Sequence, residues 1–154
     1  MALLGVNHIG VTVRNLDATV AWYREMLEIE PTFGQRGNSG AQVDTVVQVE
    51  GAVIDMAFCV LGNTCLEFLE YREPAGADFA LRNCDVGAIH VCFEVEDIDA
   101  TYQRLLSKGV EFSAPPAVST EGPLEGVAYA YFRDLQGVQL ELFQVPAGSI
   151  ATAL

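Results

Sequence analysis

The sequence is short of positive charge, of histidine and of paired cysteine. Its 154 residues carry 8 Lys and Arg against 21 Asp and Glu, a formal net charge of -13. A surface this acidic repels phosphate backbones and anionic lipid faces, which argues against nucleic acid or a membrane surface as partner. No apolar run reaches the roughly 18 residues that span a bilayer. The start, Met-Ala-Leu-Leu-Gly-Val-Asn-His, has no basic stretch of the kind that opens an export signal. A cytoplasmic location is the expectation. Four cysteines, Cys59, Cys65, Cys84 and Cys92, form no Cys-x-x-Cys pair and lie in or beside apolar runs. Buried thiols are therefore expected rather than a disulfide frame. What the chain has in quantity is apolar side chain, 51% hydrophobic against 19% charged. That composition and length describe one globular domain, 1–154, with a sizeable core.

The chain repeats itself. Val-Asn-His-Ile-Gly-Val-Thr-Val-Arg-Asn-Leu-Asp-Ala-Thr at 6–19 lies over Ala-Ile-His-Val-Cys-Phe-Glu-Val-Glu-Asp-Ile-Asp-Ala-Thr at 88–101. His8 falls on His90, Val13 on Val95, and Asp17-Ala18-Thr19 on Asp99-Ala100-Thr101. A second match sets 61–69 over 135–143, with Glu67 on Glu141, and the change of offset is a change of loop length. Alternation through Ile9, Val11 and Val13, and again through Val91, Phe93 and Val95, makes a strand with one apolar face in each copy. Asn15 and Asp97 then stand in capping position before helical runs. The first helix turns Val20, Tyr23, Met26 and Leu27 inward. The second turns Tyr102, Leu105 and Leu106 inward and stops at Lys108-Gly109.

Further strands are expected at 45–49, 54–61 and 65–71 in the first copy, and at 111–113, 128–133 and 138–145 in the second. Each half is thus βαβββ, with modules at about 4–72 and 86–146 joined by a linker over 73–87. Glycine-rich stretches at 34–40 and 119–126 read as surface loops, of a composition that also suits mobile covers.

Both histidines of the chain occupy the same place in the repeat, and two glutamates likewise repeat in the last strand of each half. By the period of two, His8 lies opposite Ile9, Val11 and Val13, and Glu67 lies opposite Leu66 and Phe68. His90 and Glu141 repeat that placement. With helices over the apolar faces, His8, Glu67, His90 and Glu141 all turn to the other, concave side of their sheets. A carboxylate there is costly to desolvate alone, and a divalent cation supplies the missing charge. Two imidazoles and two carboxylates suit zinc, nickel, cobalt, manganese or ferrous iron. Calcium prefers more oxygens, and a thiolate site needs cysteine in the set.

The repeat, the Asn-His-Ile-Gly-Val-Thr-Val start, the Trp22-Tyr23 helix and the endings Cys-Leu-Glu-Phe-Leu-Glu and Tyr-Phe-Arg-Asp-Leu-Gln-Gly-Val-Gln-Leu-Glu-Leu-Phe resemble the vicinal oxygen chelate superfamily over about 6–145. The resemblance implies an α+β fold of two tandem βαβββ modules forming a U-shaped half-open barrel around a metal site, in a homodimer. It also implies one divalent ion held at the positions of His8, Glu67, His90 and Glu141. The pattern is nearest to glyoxalase I and methylmalonyl-CoA epimerase. It departs from glyoxalase I in lacking an Arg after His8, and from the epimerases in having one His at the second ligand and Glu at 67.

The implied chemistry is that of a metal-dependent isomerase, epimerase or lyase acting on a small acid or thioester. A proton is taken from the carbon next to a metal-chelated carbonyl, with Glu141 and Glu67 as the candidate catalytic carboxylates. A ligand-sequestering protein of the same fold is the alternative, and an extradiol-type dioxygenase a further one. Arg36 in its glycine setting is either an anion clamp or an exposed loop residue, and Glu121 and Glu125 are either surface residues or bases carried by a cover.

Overall fold

The alternation at the head of each half becomes a short strand followed by a helix. In the first unit, Met1–Phe79, β1 (Ile9–Thr12) leads into α1 (Leu16–Leu27), β2 (Phe33–Ser39), α2 (Ala41–Val47), β3 (Val53–Leu61) and β4 (Thr64–Glu73). In the second, Ala80–Leu154, β5 (Val91–Glu94) leads into α3 (Ile98–Ser107), β6 (Ala117–Val118), β7 (Ala128–Arg133) and β8 (Gln139–Gln144). The computed structural model describes residues 4–78 and 81–147. Each unit is one open four-stranded sheet, ordered β1-β4-β3-β2 and β5-β8-β7-β6. The first strand of each pairs parallel to the last, and the remaining pairs are antiparallel. This is the expected α+β class of tandem βαβββ modules.

The two units solve the strand-to-helix joint in the same way. Asn15 Oδ1 accepts from Ala18 N at 2.8 Å and Asp97 Oδ1 from Ala100 N at 2.9 Å, so both capping positions do what their residue types prescribe. The next unpaired amide of each helix is answered from the last strand, Leu16 N donating to Glu70 Oε2 at 2.7 Å and Ile98 N to Gln144 Oε1 at 2.8 Å. These bonds tie the helix start to one face of the sheet. On that face Leu16, Tyr23, Leu66 and Phe68 form the first core, with the Tyr23 and Phe68 rings 4.6 Å apart. Leu105, Phe132, Leu140 and Leu142 form the second. Fully burying each such side chain is worth about 1.5–3 kcal/mol.

Three expected elements and one expected inward side chain differ. Residues 34–40 are not a loop but most of the edge strand β2, which pairs with β3 through an irregularity between Gln35 and Asn38. Gly34 is needed there because a Cβ would lie 2.7 Å from the Met56 carbonyl oxygen, and Gly37 takes a φ of 64° in the bulge. The β-branched run at 45–49 forms no strand. It belongs largely to helix α2, whose Asp44 carboxylate accepts from the amides of Gly51 and Ala52, so local hydrogen bonds override propensity. At 111–113 only the bridge Phe112–Phe132 forms, and the strand moves beyond Pro115-Pro116, which have no amide hydrogen to give a ladder. Leu106 is exposed rather than inward, because Ile98 and Leu105 line the packed side of α3.

The cysteines differ too: all four are free thiols as expected, but only Cys59 is buried, and Cys84 and Cys92 are exposed. Among the described residues no helix is long and apolar enough to cross a membrane.

Candidate active site

His8 stands immediately before β1 and Glu67 lies in β4, whose register sets Gly10 beside Glu67. The parallel pairing therefore brings the histidine and the glutamate of one module together, with His8 Nε2 3.2 Å from Glu67 Oε2. The second unit repeats this: His90 precedes β5, Cys92 registers with Glu141, and His90 Nε2 is 3.0 Å from Glu141 Oε2. The imidazoles are half exposed, at 42% and 45%, while the carboxylates are shielded, at 13% and 8%. The four residues expected from the sequence thus occur as two His–Glu pairs. Among the described residues no three or more His, Cys, Asp and Glu are grouped so that they could hold a metal ion together.

The pairs are not equivalent. His8 packs edge-on to Phe58 at 6.1 Å, and Phe58 stacks on Phe33 at 4.4 Å. Phe58 is the β3 residue that registers with Glu67. In the second unit the registering residue of β7 is Tyr131, which is edge-on to His90 at 5.5 Å and hydrogen-bonded to Glu141. Cys92 is also hydrogen-bonded to Glu141, at the place where the first unit has Gly10. Desolvation first, and then the Glu141 charge, push the Tyr131 phenol up to about 12 and the Cys92 thiol up to about 12. Both groups therefore stay protonated at neutral pH and donate to Glu141, whereas Glu67 faces a phenyl ring and a glycine. Beside His90 and Tyr131 lies a cavity of about 120 Å³, completed by Asn83, Ala88 and Ile89.

Sequence patterning does not single out Tyr131 or Asn83. The signal for Tyr131 is present in the alternation of 128–133, which puts Tyr129 and Tyr131 on one face, but its value depends on knowing the register with Glu141. Asn83 belongs to the stretch between the modules, where no period points to it. Other candidates are placed elsewhere. Arg36 is no open clamp: it pairs with Asp17 and, at 3.2 Å, with the buried Asp55, which also accepts from Gly37 N at 2.7 Å and Arg72 at 3.3 Å. The Gly37 amide chiefly, helped by Arg36 and opposed by burial, holds the Asp55 carboxyl below its usual range. Tyr23 is buried in the core, and the half-buried Trp22 ring lies edge-on to it at 5.2 Å. Glu121 and Glu125 are exposed in the second glycine-rich loop.

The pairs fit a divalent ion in their donor chemistry. Asn7 Oδ1 lies 2.9 Å from His8 Nδ1 and can only accept from it, so Nε2 is the ring nitrogen that faces the Glu67 oxygen. Two acceptors at that distance require a proton or a cation between them. A Cβ at position 10 would make only ordinary contact with Glu67 Oε2, at 3.6 Å.

The chain is similar to known proteins over most of its length. The chain is 32% identical to a 2-epi-5-epi-valiolone epimerase of Actinomyces sp over 150 residues, covering 95% of this chain and 82% of that protein. It is 31% identical to the ethylmalonyl-CoA/methylmalonyl-CoA epimerase of Cereibacter sphaeroides, covering 91% and 97%. It is also 31% identical to the mitochondrial methylmalonyl-CoA epimerase of Mus musculus, covering 90% and 72%. In fold it is similar to a glyoxalase family protein from Bacillus cereus, with a TM-score of 0.80 at 21% identity over 94% of this chain and 95% of the other. A second such structure is the fosfomycin resistance protein FosX from Listeria monocytogenes, crystallised with Mn(II) and sulfate, with a TM-score of 0.62 at 17% identity over 96% and 98%. Residues 5–142, which span both His–Glu pairs, match the family description itself. By its repeat, its two sheets and this match, the chain belongs to the Glyoxalase/Bleomycin resistance protein/Dioxygenase superfamily.

Proposed function

We propose that this protein is a metal-dependent epimerase, in which His8, Glu67, His90 and Glu141 hold one divalent ion and a proton is moved at a carbon next to a carbonyl. The observation that carries the reading is the repeated pair: in each unit an imidazole nitrogen faces a shielded carboxylate oxygen within 3.2 Å. The epimerase relatives, at 31–32% identity over at least 90% of the chain, support the reaction type.

A bound divalent ion supplies positive charge to the oxyanion that develops when a proton leaves the neighbouring carbon. Glu141 and Glu67 are the proton-carrying carboxylates. Their shielding from water removes competing hydration and keeps each oxygen available as a base. Tyr131 and Cys92 donate to Glu141 and fix one of its orientations, and Phe58, stacked on Phe33, packs edge-on against His8. His8 is oriented by Asn7.

The reading is tested by solvent deuterium exchange at the carbon next to the carbonyl of 2-oxo and acyl-thioester compounds, followed by NMR with Mn(II)- or Co(II)-loaded protein. Exchange that falls at least about 100-fold in both Glu67→Gln and Glu141→Gln is the expected result. Exchange at the parent rate in both variants contradicts it.

A further inference from the structure

The charged side chains bear on what the substrate carries besides its reacting carbon. All eight cationic residues of the chain are among the described residues. In the first unit, Arg14 closes on Asp78 and Arg24 on Glu30, and Arg36 and Arg72 share Asp55. Asp17 and Glu70 complete that last cluster, so its two guanidiniums are outnumbered by three carboxylates. Register places the cluster on the helix side of the sheet. Asp55 pairs with Glu70, which caps α1, while Phe58 pairs with Glu67 on the opposite face.

In the second unit Arg82 closes on Asp85, and Arg104 and Lys108 belong to α3 and its cap, on the helix side. Arg133 is the one strand-borne cation at a register position on the Glu141 face. It donates to the carbonyls of Gly137 and Leu81, so it braces the segment that carries Asn83.

The His–Glu faces are built instead from uncharged hydrogen-bonding groups. The cavity of about 120 Å³ is lined by Asn83, Tyr131 and His90, whose side chains carry a carboxamide, a phenol and an imidazole, with Ala88 and Ile89. On the first sheet Thr12 and Gln35 hold register positions on the Glu67 face. Such groups read hydroxyl and carbonyl oxygens, each of which both orients and satisfies them. A coenzyme A thioester brings a diphosphate and a phosphomonoester, about four negative charges at neutral pH. Against a chain of net charge -13 those charges meet repulsion, and the arginines are committed elsewhere.

We infer that the substrate is an uncharged polyhydroxylated ketone, and not an acyl-coenzyme A thioester. The inference rests on the epimerase reading and selects between the two substrate classes named among the relatives.

The test compares deuterium exchange into 2-epi-5-epi-valiolone and into methylmalonyl-CoA by the same Mn(II)- or Co(II)-loaded protein. A calorimetric titration of the protein with coenzyme A alone accompanies it. The expected result is a kcat/KM for the ketone at least about 100-fold above that for the thioester. Coenzyme A alone is expected to bind no tighter than about 1 mM. Thioester exchange at an equal or higher kcat/KM, or coenzyme A binding tighter than about 100 μM, overturns the substrate assignment and leaves the epimerase reading standing. Exchange into neither compound overturns both.

Discussion

Replacing Tyr131 by Phe removes one hydroxyl and leaves the ring that packs on His90. Glu141 then loses the O–H donor that is hydrogen-bonded to it, and keeps His90 Nε2 at 3.0 Å and the weaker Cys92 donor. A hydrogen bond to a shielded carboxylate, here 8% exposed, is worth about 1.5–3 kcal/mol. At 1.4 kcal/mol per tenfold, that is a loss of about 10–100-fold in divalent-ion affinity, the usual cost of removing a group that orients a ligand. The matching change in the other pair, Phe58→Leu, removes no hydrogen bond and is expected to alter affinity less than about threefold. Competition against a chelator of known affinity, with Mn(II) or Co(II), measures both. Thermal melts of the metal-free proteins separate loss of binding from loss of fold. Tyr131→Phe binding within about twofold of the parent, or Phe58→Leu falling as far as Tyr131→Phe, would refute the asymmetry between the two glutamates.

Asp55→Asn keeps an acceptor for Gly37 N and loses the charge that Arg36 and Arg72 share; with both guanidiniums more than half exposed, it should cost about 1–2 kcal/mol at pH 7. Because the folded-state pKa of Asp55 is lowered, its contribution is present above the ordinary carboxylate range and disappears as pH falls through the folded pKa. Denaturant titrations of the two proteins should therefore differ at neutral pH and converge in acid; a gap that widens in acid would reverse the sign. Gly34→Ala drives a Cβ to within 2.7 Å of the Met56 carbonyl oxygen and should lower stability by about 1–3 kcal/mol, read as a drop in Tm. Gly10→Ala meets only 3.6 Å contacts and should change Tm little, so equal losses at the two positions would contradict the packing described. Asn15→Ala and Asp97→Ala should each cost about 1 kcal/mol by thermal melt, since each side chain caps one helix in the same way.

The starts of α1 and α3, the long strands of each half and the repeated positions of His8, Glu67, His90 and Glu141 are readable because each is written locally and then written again 74 or 82 residues later, whereas their grouping as two His–Glu pairs is seen only in the structure. Asn15 and Asp97 specify their caps within three residues. The pairing of His8 with Glu67 needs, besides the period of two, the parallel register of β1 on β4. β2 was hidden because its glycines serve a bulge and a close approach to Met56, which look like loop chemistry until the neighbouring strand is placed. Helix α2 was hidden because Asp44 stabilises it through amides seven and eight residues ahead, against the strand propensity of Thr45, Val46 and Val47. Tyr131 and Asn83 needed the register of β7 on β8 and the walls of the cavity, which no local period encodes. Arg36, for which the glycine setting allows either an anion clamp or an exposed loop residue, is paired with Asp17 and Asp55 from two other elements.

The proposed role of His8, Glu67, His90 and Glu141 is to serve one divalent ion. It is tested most directly by elemental mass spectrometry of protein purified without chelator or immobilised-metal resin, in the parent and in the His8→Ala/His90→Ala double variant. About one divalent ion per chain in the parent, absent from a double variant that still melts cooperatively, is the predicted result. A parent that neither carries nor takes up such an ion, or a double variant that retains it in full, would contradict the claim.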